Sequence, residues 1–391
     1  MPDPTVGVYV HIPFCERVCP YCNFAVVPAR PLTREREERY LRALLAELRL
    51  RRDVFAEHSL ASLYFGGGTP SLLHPSSIAR IIGAVGESFT SRGRVETSLE
   101  VNPSTVERSR LPAFREAGVD RLSVGAQSFD DRTLHRLGRA HRAPEVDATL
   151  REARAVGFTN LSIDLIFGVP DQDADGFRRD LERVIAFEPE HVSVYGLAVE
   201  EGTPYATAVA RGRLALPEED EVVVMMLDLR ERLERAGVRQ YEISNFARPG
   251  FESVHNRRYW ERQPVLGLGV GAWSTDPASP EAPYGLRRSN PRGLDDYLQR
   301  IESGLAGGEH SPEILDARTA RGEAAFLALR TTRGLDAGAF EAEFGVALRD
   351  AFGPAIEELA GVGLLEENCR GDLRLTPAGW LLSDSVFERF V

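Results

Sequence analysis

Residues 11–26, HIPFCERVCPYCNFAV, gather Cys15, Cys19 and Cys22 into one short run of a chain whose only other cysteine is Cys369. Thiolates so clustered are ligands for soft metals. A structural zinc site asks for four ligands, and CERVCPYC offers three, with His11 nearby as a fourth. Ferredoxin-type clusters also take four cysteines, in a tighter Cys-x2-Cys-x2-Cys run plus a remote one. The Cys-x3-Cys-x2-Cys spacing instead suits three corners of a [4Fe–4S] cube and leaves one iron without a protein ligand, open to a substrate. Cys369, in the polar stretch EENCRGD, reads as a free thiol, and His11, on a strand, as a hydrogen-bonded side chain.

Such a loop needs a frame, and the chain supplies one. From residue 6 to about 237, short β-branched or apolar runs alternate with amphipathic stretches. Strands are expected at 6–14, 62–68, 97–103, 121–128, 161–170 and 191–199, and helices at 33–55, 173–187 and 219–237. Six strand–helix units in succession imply an α/β fold with a parallel sheet. The residues able to do chemistry recur where these strands end: the cysteines after the first, Gly66-Gly67-Gly68-Thr69 after the second, Glu100 and Asn102 at the third, Gln127 at the fourth, Asp164 at the fifth. Strand ends converge on one mouth in a barrel, whereas a doubly wound sheet places its site at a switch point. The pattern therefore favours an incomplete (βα)6-type barrel.

After residue 238 the alternation gives way to YEISNFARPGFESVHNRRYW, a Gly-rich LGLGVGAW and a Pro/Ser-bearing stretch at 276–291. LGLGVGAW lacks the spacing of a dinucleotide fingerprint and reads as close packing. A boundary is expected near residue 300, dividing a domain of residues 1–300 from one of 301–391. The tail, with helices expected at 316–332, 336–344 and 347–361 and the ending LRLTPAGWLLSDSVFERF, suggests a small helical or winged-helix-like domain.

The formal net charge of −12 speaks against a general nucleic-acid binder, and residues 311–391, with 14 acidic residues against 8 arginines, speak against DNA binding by the tail. No long uncharged apolar run and no signal-peptide pattern is present, so a cytoplasmic location is expected, where clustered cysteines bind metal rather than pair.

CxxxCxxC, with the aromatic Tyr21 just before its third cysteine, resembles the defining motif of the radical-SAM superfamily. The resemblance implies that Cys15, Cys19 and Cys22 hold a [4Fe–4S] cluster whose open iron takes the amino and carboxylate groups of S-adenosylmethionine. It further implies that Tyr9, Tyr21, Gly67, Gly68, Thr69, Glu100, Gln127, Arg139 and Asp164 surround that cofactor, and that an electron donor serves the cluster. His135 and His141, flanking Arg139, are expected to face solvent.

YVHIPFC, YFGGGTP, LEVNP, RLSVGAQSF and DLIFGVP narrow the likeness to the group of oxygen-independent coproporphyrinogen dehydrogenases and their heme-chaperone relatives, over nearly the whole chain. The dehydrogenases continue CxxxCxxCxC after a longer leader. Here the last position is Phe24 and the motif begins close to the start of the sequence, as in the chaperones, whose HNxxYW motif is present as His255 to Trp260. This implies heme as cargo with His255 as an axial ligand sharing a helix face with Tyr259, respiratory heme enzymes as clients met transiently at the membrane, and cluster-dependent dimerisation. Coproporphyrinogen oxidation, or another radical reaction on a tetrapyrrole, is the alternative.

Overall fold

The computed structural model describes residues 4–305 and 312–391. The sequence TVGVYVHI forms strand β1 (Thr5–Ile12), where Val6, Val8, Val10 and Ile12 are all fully buried. These four share one face, and Gly7 and His11 on the other face are buried too, so the strand is covered on both sides, as in the middle of a parallel sheet. Parallel neighbours follow in chain order: β2 (Ser59–Gly67), β3 (Glu96–Val101), β4 (Arg121–Gln127), β5 (Leu161–Phe167) and β6 (His191–Gly196). Each expected strand is present, shortened at its C-terminal end because those residues turn away into the loops that carry polar groups.

The strand–helix alternation does end after residue 238, but short strands that sequence patterns had not marked follow it. Two short strands, β7 (Arg239–Gln240) and β8 (Asn245–Ala247), extend the sheet antiparallel beyond β6. The Gly-rich run supplies β9 (Val265–Leu268), which pairs parallel with the free edge of β1, and β10 (Trp273–Asp276), β11 (Leu286–Ser289) and β12 (Glu313–Ile314) continue antiparallel from it. The result is one twelve-stranded sheet ordered β12-β11-β10-β9-β1-β2-β3-β4-β5-β6-β8-β7. Among the described residues its two ends do not pair, so the barrel stays open.

Helices cover the sheet's outer side. The first, Arg34–Arg51, is capped by the Thr33 hydroxyl, which accepts from the Arg36 N–H, and has Glu35 and Glu37 in its first turn and Arg49 and Arg51 in its last, each charge favourable to the helix dipole. A 3-10 turn, Arg52–Phe55, takes up the rest of the expected span.

A second hydrophobic core begins at Leu315 and runs to Phe390, with Ile243 and Tyr284 packed against it. Helices Ala317–Leu329, Ala337–Phe344 and Leu348–Gly361 and the hairpin Leu365–Glu367/Leu373–Leu375 build it, an arrangement of the expected winged-helix kind. Among the described residues no helix is long and apolar enough to cross a membrane.

Candidate functional site

The C-terminal ends of β1 to β6 surround a cavity of about 630 Å³. Cys15, Cys19 and Cys22, all free thiols, open onto it from the loop after β1. Cys15 is buried and the other two half-buried. Burial pushes the Cys15 thiol up to about 11, so it holds its proton until a metal displaces it. Among the described residues no three His, Cys, Asp or Glu side chains already converge on a single-metal position. The thiols instead line one wall of a space larger than one ion needs.

A hydrogen-bonded chain ties this loop to the sheet. The Thr69 hydroxyl donates to Cys15 Sγ at 3.7 Å and accepts from Asn102 Nδ2 at 2.8 Å. Asn102 Oδ1 in turn accepts from Arg139 Nη2, while Arg139 Nη1 donates to Cys19 Sγ at 3.8 Å. Two of the three cysteines are thus held from opposite ends of one polar path. Arg139 Nε remains buried without a partner, a donor awaiting an acceptor. Asn102 is the member whose part the sequence did not disclose, because bridging two strand ends is visible only in three dimensions.

The same cavity is lined by two half-buried carboxylates, Glu100 and Asp164. Glu100 accepts from the Tyr64 hydroxyl at 2.9 Å and from the Gly67 N–H at 3.2 Å. Burial, and then the charge of Asp164, push its carboxyl up to about 7. Asp164 accepts from the Ser123 hydroxyl at 2.9 Å and the Ser162 hydroxyl at 3.0 Å, yet burial still raises its pKa. Gln127, at the end of β4, has φ of +64° and follows an irregularity in the β4–β5 register. A left-handed glutamine is uncommon, and here it re-aims the side chain at the cavity it lines.

The glycine run is demanded by packing as well. A Cβ on Gly67, with φ of +107°, would lie 2.4 Å from the His11 ring, and one on Gly68 would meet the backbone oxygens of Ile12 and Phe14 at 2.8 and 2.9 Å. The turn must therefore come close under the cysteine loop.

Tyr21, Gly67, Gly68, Thr69, Glu100, Gln127, Arg139 and Asp164 all line the cavity, joined by Tyr195 and Arg292, which sequence patterns had not singled out. Tyr195 shares its face of β6 with His191 and Ser193, which also line the cavity, a period-two signal that could have revealed it; Arg292 comes from an irregular stretch with no such signal. Tyr9 is not at the wall: its hydroxyl lies 3.1 Å from His11 Nδ1 and its ring stacks on Tyr64 and His255. His11 Nε2 lies 2.9 Å from the Ala25 carbonyl, which leaves this residue hydrogen-bonded at both nitrogens. His135 is exposed, but His141 is buried, 3.1 Å from the Ala126 carbonyl, which corrects its expected solvent position.

His255 does not line this cavity. It lies on the helix Val254–Trp260, is 1% exposed, and has Nδ1 2.9 Å from Ser62 Oγ and Nε2 3.1 Å from the Tyr259 hydroxyl. The i, i+4 pairing with Tyr259 exists, but it occupies the nitrogen an iron would need. Burial holds the ring neutral, its pKa lowered to about 3. His255→Ala is expected to cost about 2 kcal/mol of stability, since it strands two buried hydroxyls and opens a void. Denaturant unfolding measures this, and an unchanged midpoint would mean that the ring bears no structural load.

The chain matches the Radical SAM superfamily model over residues 9–184 and the HemN C-terminal domain model over 315–382. It is 32% identical to the heme chaperone HemW of Bacillus subtilis over 98% of this chain and 99% of that one, and 34% identical to the HemW of Mycobacterium tuberculosis (strain H37Rv) over 99% and 95%. Among solved structures, coproporphyrinogen III oxidase (HemN) from Escherichia coli, a radical-SAM enzyme, superposes with a TM-score of 0.84 at 25% identity, over 100% of this chain and 91% of that one.

Proposed function

This chain belongs to the HemW family of radical-SAM proteins, and on that premise we propose that it is a heme chaperone, which binds heme and passes it to respiratory heme enzymes. In this reading Cys15, Cys19 and Cys22 hold a [4Fe–4S] cluster and the cavity holds S-adenosylmethionine beside it. The observation that supports this is the donor set: three free thiols face the same cavity as an unpartnered guanidinium N–H and two half-buried carboxylates. When bound, the cluster supplies one electron and an open coordination position.

The chain's own residues do the rest. Arg139 offers its Nε–H to a carboxylate, Glu100 and Asp164 accept from ammonium or ribose hydroxyl groups, and Gly67 and Gly68 bring backbone close to the ligand. Val18 and Phe24, exposed on the cysteine loop, leave that loop accessible to an electron donor.

A second reading, oxidation of coproporphyrinogen, draws on the whole-length superposition on the E. coli enzyme. Phe24 weighs against it, since an exposed phenylalanine stands where the dehydrogenases have a fourth motif cysteine. Anaerobic reconstitution followed by parallel heme titration and coproporphyrinogen turnover separates the two. Saturable heme binding without protoporphyrinogen formation is expected; turnover would assign the chain to the enzymes.

A further inference from the structure

The helix Val254–Trp260 separates two cavities. Asn256 faces the one already described, while Arg257 and Trp260 line a second, of about 660 Å³, between the β7–β8 edge of the sheet and the C-terminal domain. The wall between them includes one further link, His191 Nε2 to the Tyr241 hydroxyl at 2.9 Å, with His191 lining the first cavity and Tyr241 the second.

The second cavity has aromatic walls, and its four arginines, Arg239, Arg257, Arg262 and Arg333, are matched in number by Glu252, Glu261, Asp336 and Glu343, so its charge preference depends on which arginines are already paired. Tyr241, Trp260 and Phe340 give it aromatic surface, and Ala324, Ala328 and Ala339 leave the facing helices slim. Trp260 is fixed by the Arg330 guanidinium, 4.5 Å from its ring centroid. Two of the lining residues hold buried polar atoms without partners, Trp260 Nε1 and Gln240 Oε1, each of which calls for a hydrogen-bonding occupant.

The cationic groups around this cavity differ in their commitments. Arg262 pairs with Glu343 at 2.5 Å and Arg257 with Glu261 at 2.6 Å. Arg333 reaches only the already paired Glu261, at 3.6 Å, and Arg239 has no ion-pair partner among the described residues. Two exposed guanidinium groups are thus available to carboxylates at the rim.

The volume matters as well. Cofactor sites run to about 300–1,000 Å³ for a single ligand, so a first cavity that receives both a cluster and S-adenosylmethionine has little space for a porphyrin.

We propose that the porphyrin binds in this second cavity, its ring against Trp260 and Phe340 and its propionates paired with Arg239 and Arg333. The assignment rests on the heme-chaperone reading and adds the place. None of the lining residues is His, Cys or Met, and Tyr241 is kept protonated by burial, so the protein grips the macrocycle and its carboxylates rather than the iron. A cargo held this way can leave for a client that offers a true axial ligand.

Heme titrations of the full-length protein test the proposal. The Arg239→Glu, Arg333→Glu double variant, altered only at exposed side chains, is expected to bind heme about tenfold or more weakly than wild type. A porphyrin with esterified propionates should not distinguish the two proteins, and iron-free protoporphyrin should bind wild type comparably to heme. Trp260→Phe, which keeps an aromatic beneath Arg330, should weaken all three ligands. Superimposed heme titrations of wild type and the double variant overturn the cavity assignment and leave heme binding itself standing. A wild-type protein that binds no heme overturns both.

Discussion

After anaerobic reconstitution, Cys15→Ala, Cys19→Ala and Cys22→Ala should each lose nearly all bound iron and sulfide, while Cys369→Ala retains the wild-type content. The three loop thiols open onto one cavity, and each would supply one corner of the cluster, so removing any one leaves two of the four irons without a protein ligand. Cys369 is exposed in the hairpin of the C-terminal domain, whose core is separate from that beneath the sheet. Neither it nor His11, engaged at both ring nitrogens, offers a fourth ligand. Iron and sulfide analysis decides the matter. Equal loss in Cys369→Ala, or a full cluster in any of the three loop variants, would remove the basis for a site-open iron.

Much of this site was legible before the fold was known, for a physical reason. In strands this rich in apolar residues the exceptions stand out: Gly66-Gly67-Gly68 and Glu100 fall at or near strand ends, and Asp164 breaks the apolar run in the middle of β5, all facing the same mouth. Strands β9 to β12 were missed because each is four residues or fewer and carries too little periodicity to register. The burial of His141 and the hydrogen bonds of His255 escaped sequence reading for a different reason. Sequence shows that an imidazole is present, but whether its nitrogens are spent depends on partners such as Ala126 and Ser62, which lie on other strands. The second cavity was invisible because it is formed by residues 239–262 meeting residues 324–343, and no local pattern announces that meeting.

Glu100→Gln should make the ligand-free protein more stable at pH 8 and at the same time weaken S-adenosylmethionine binding. Folding raises the Glu100 carboxyl from 4.5 to about 7, first through burial and then through the charge of Asp164. The folded chain therefore holds this proton more tightly than the unfolded chain does. Its stabilising effect is complete below pH 4.5 and is lost as pH rises through about 7. By pH 8 the ionised carboxylate costs the fold on the order of 3 kcal/mol. A glutamine removes that cost and keeps the local bonds, because its Oε1 can accept from the Gly67 N–H while its amide donates to the Tyr64 hydroxyl. What it cannot supply is negative charge for a cationic ligand, so affinity should fall by about tenfold or more. Thermal unfolding of the apo variant at pH 4.5 and pH 8, with anaerobic binding titrations at pH 8, measures both effects. The gain in melting temperature over wild type should appear at pH 8 and vanish at pH 4.5. A loss of stability at pH 8 would make Glu100 a structural support, and unchanged affinity would place the cofactor's cationic groups elsewhere in the cavity.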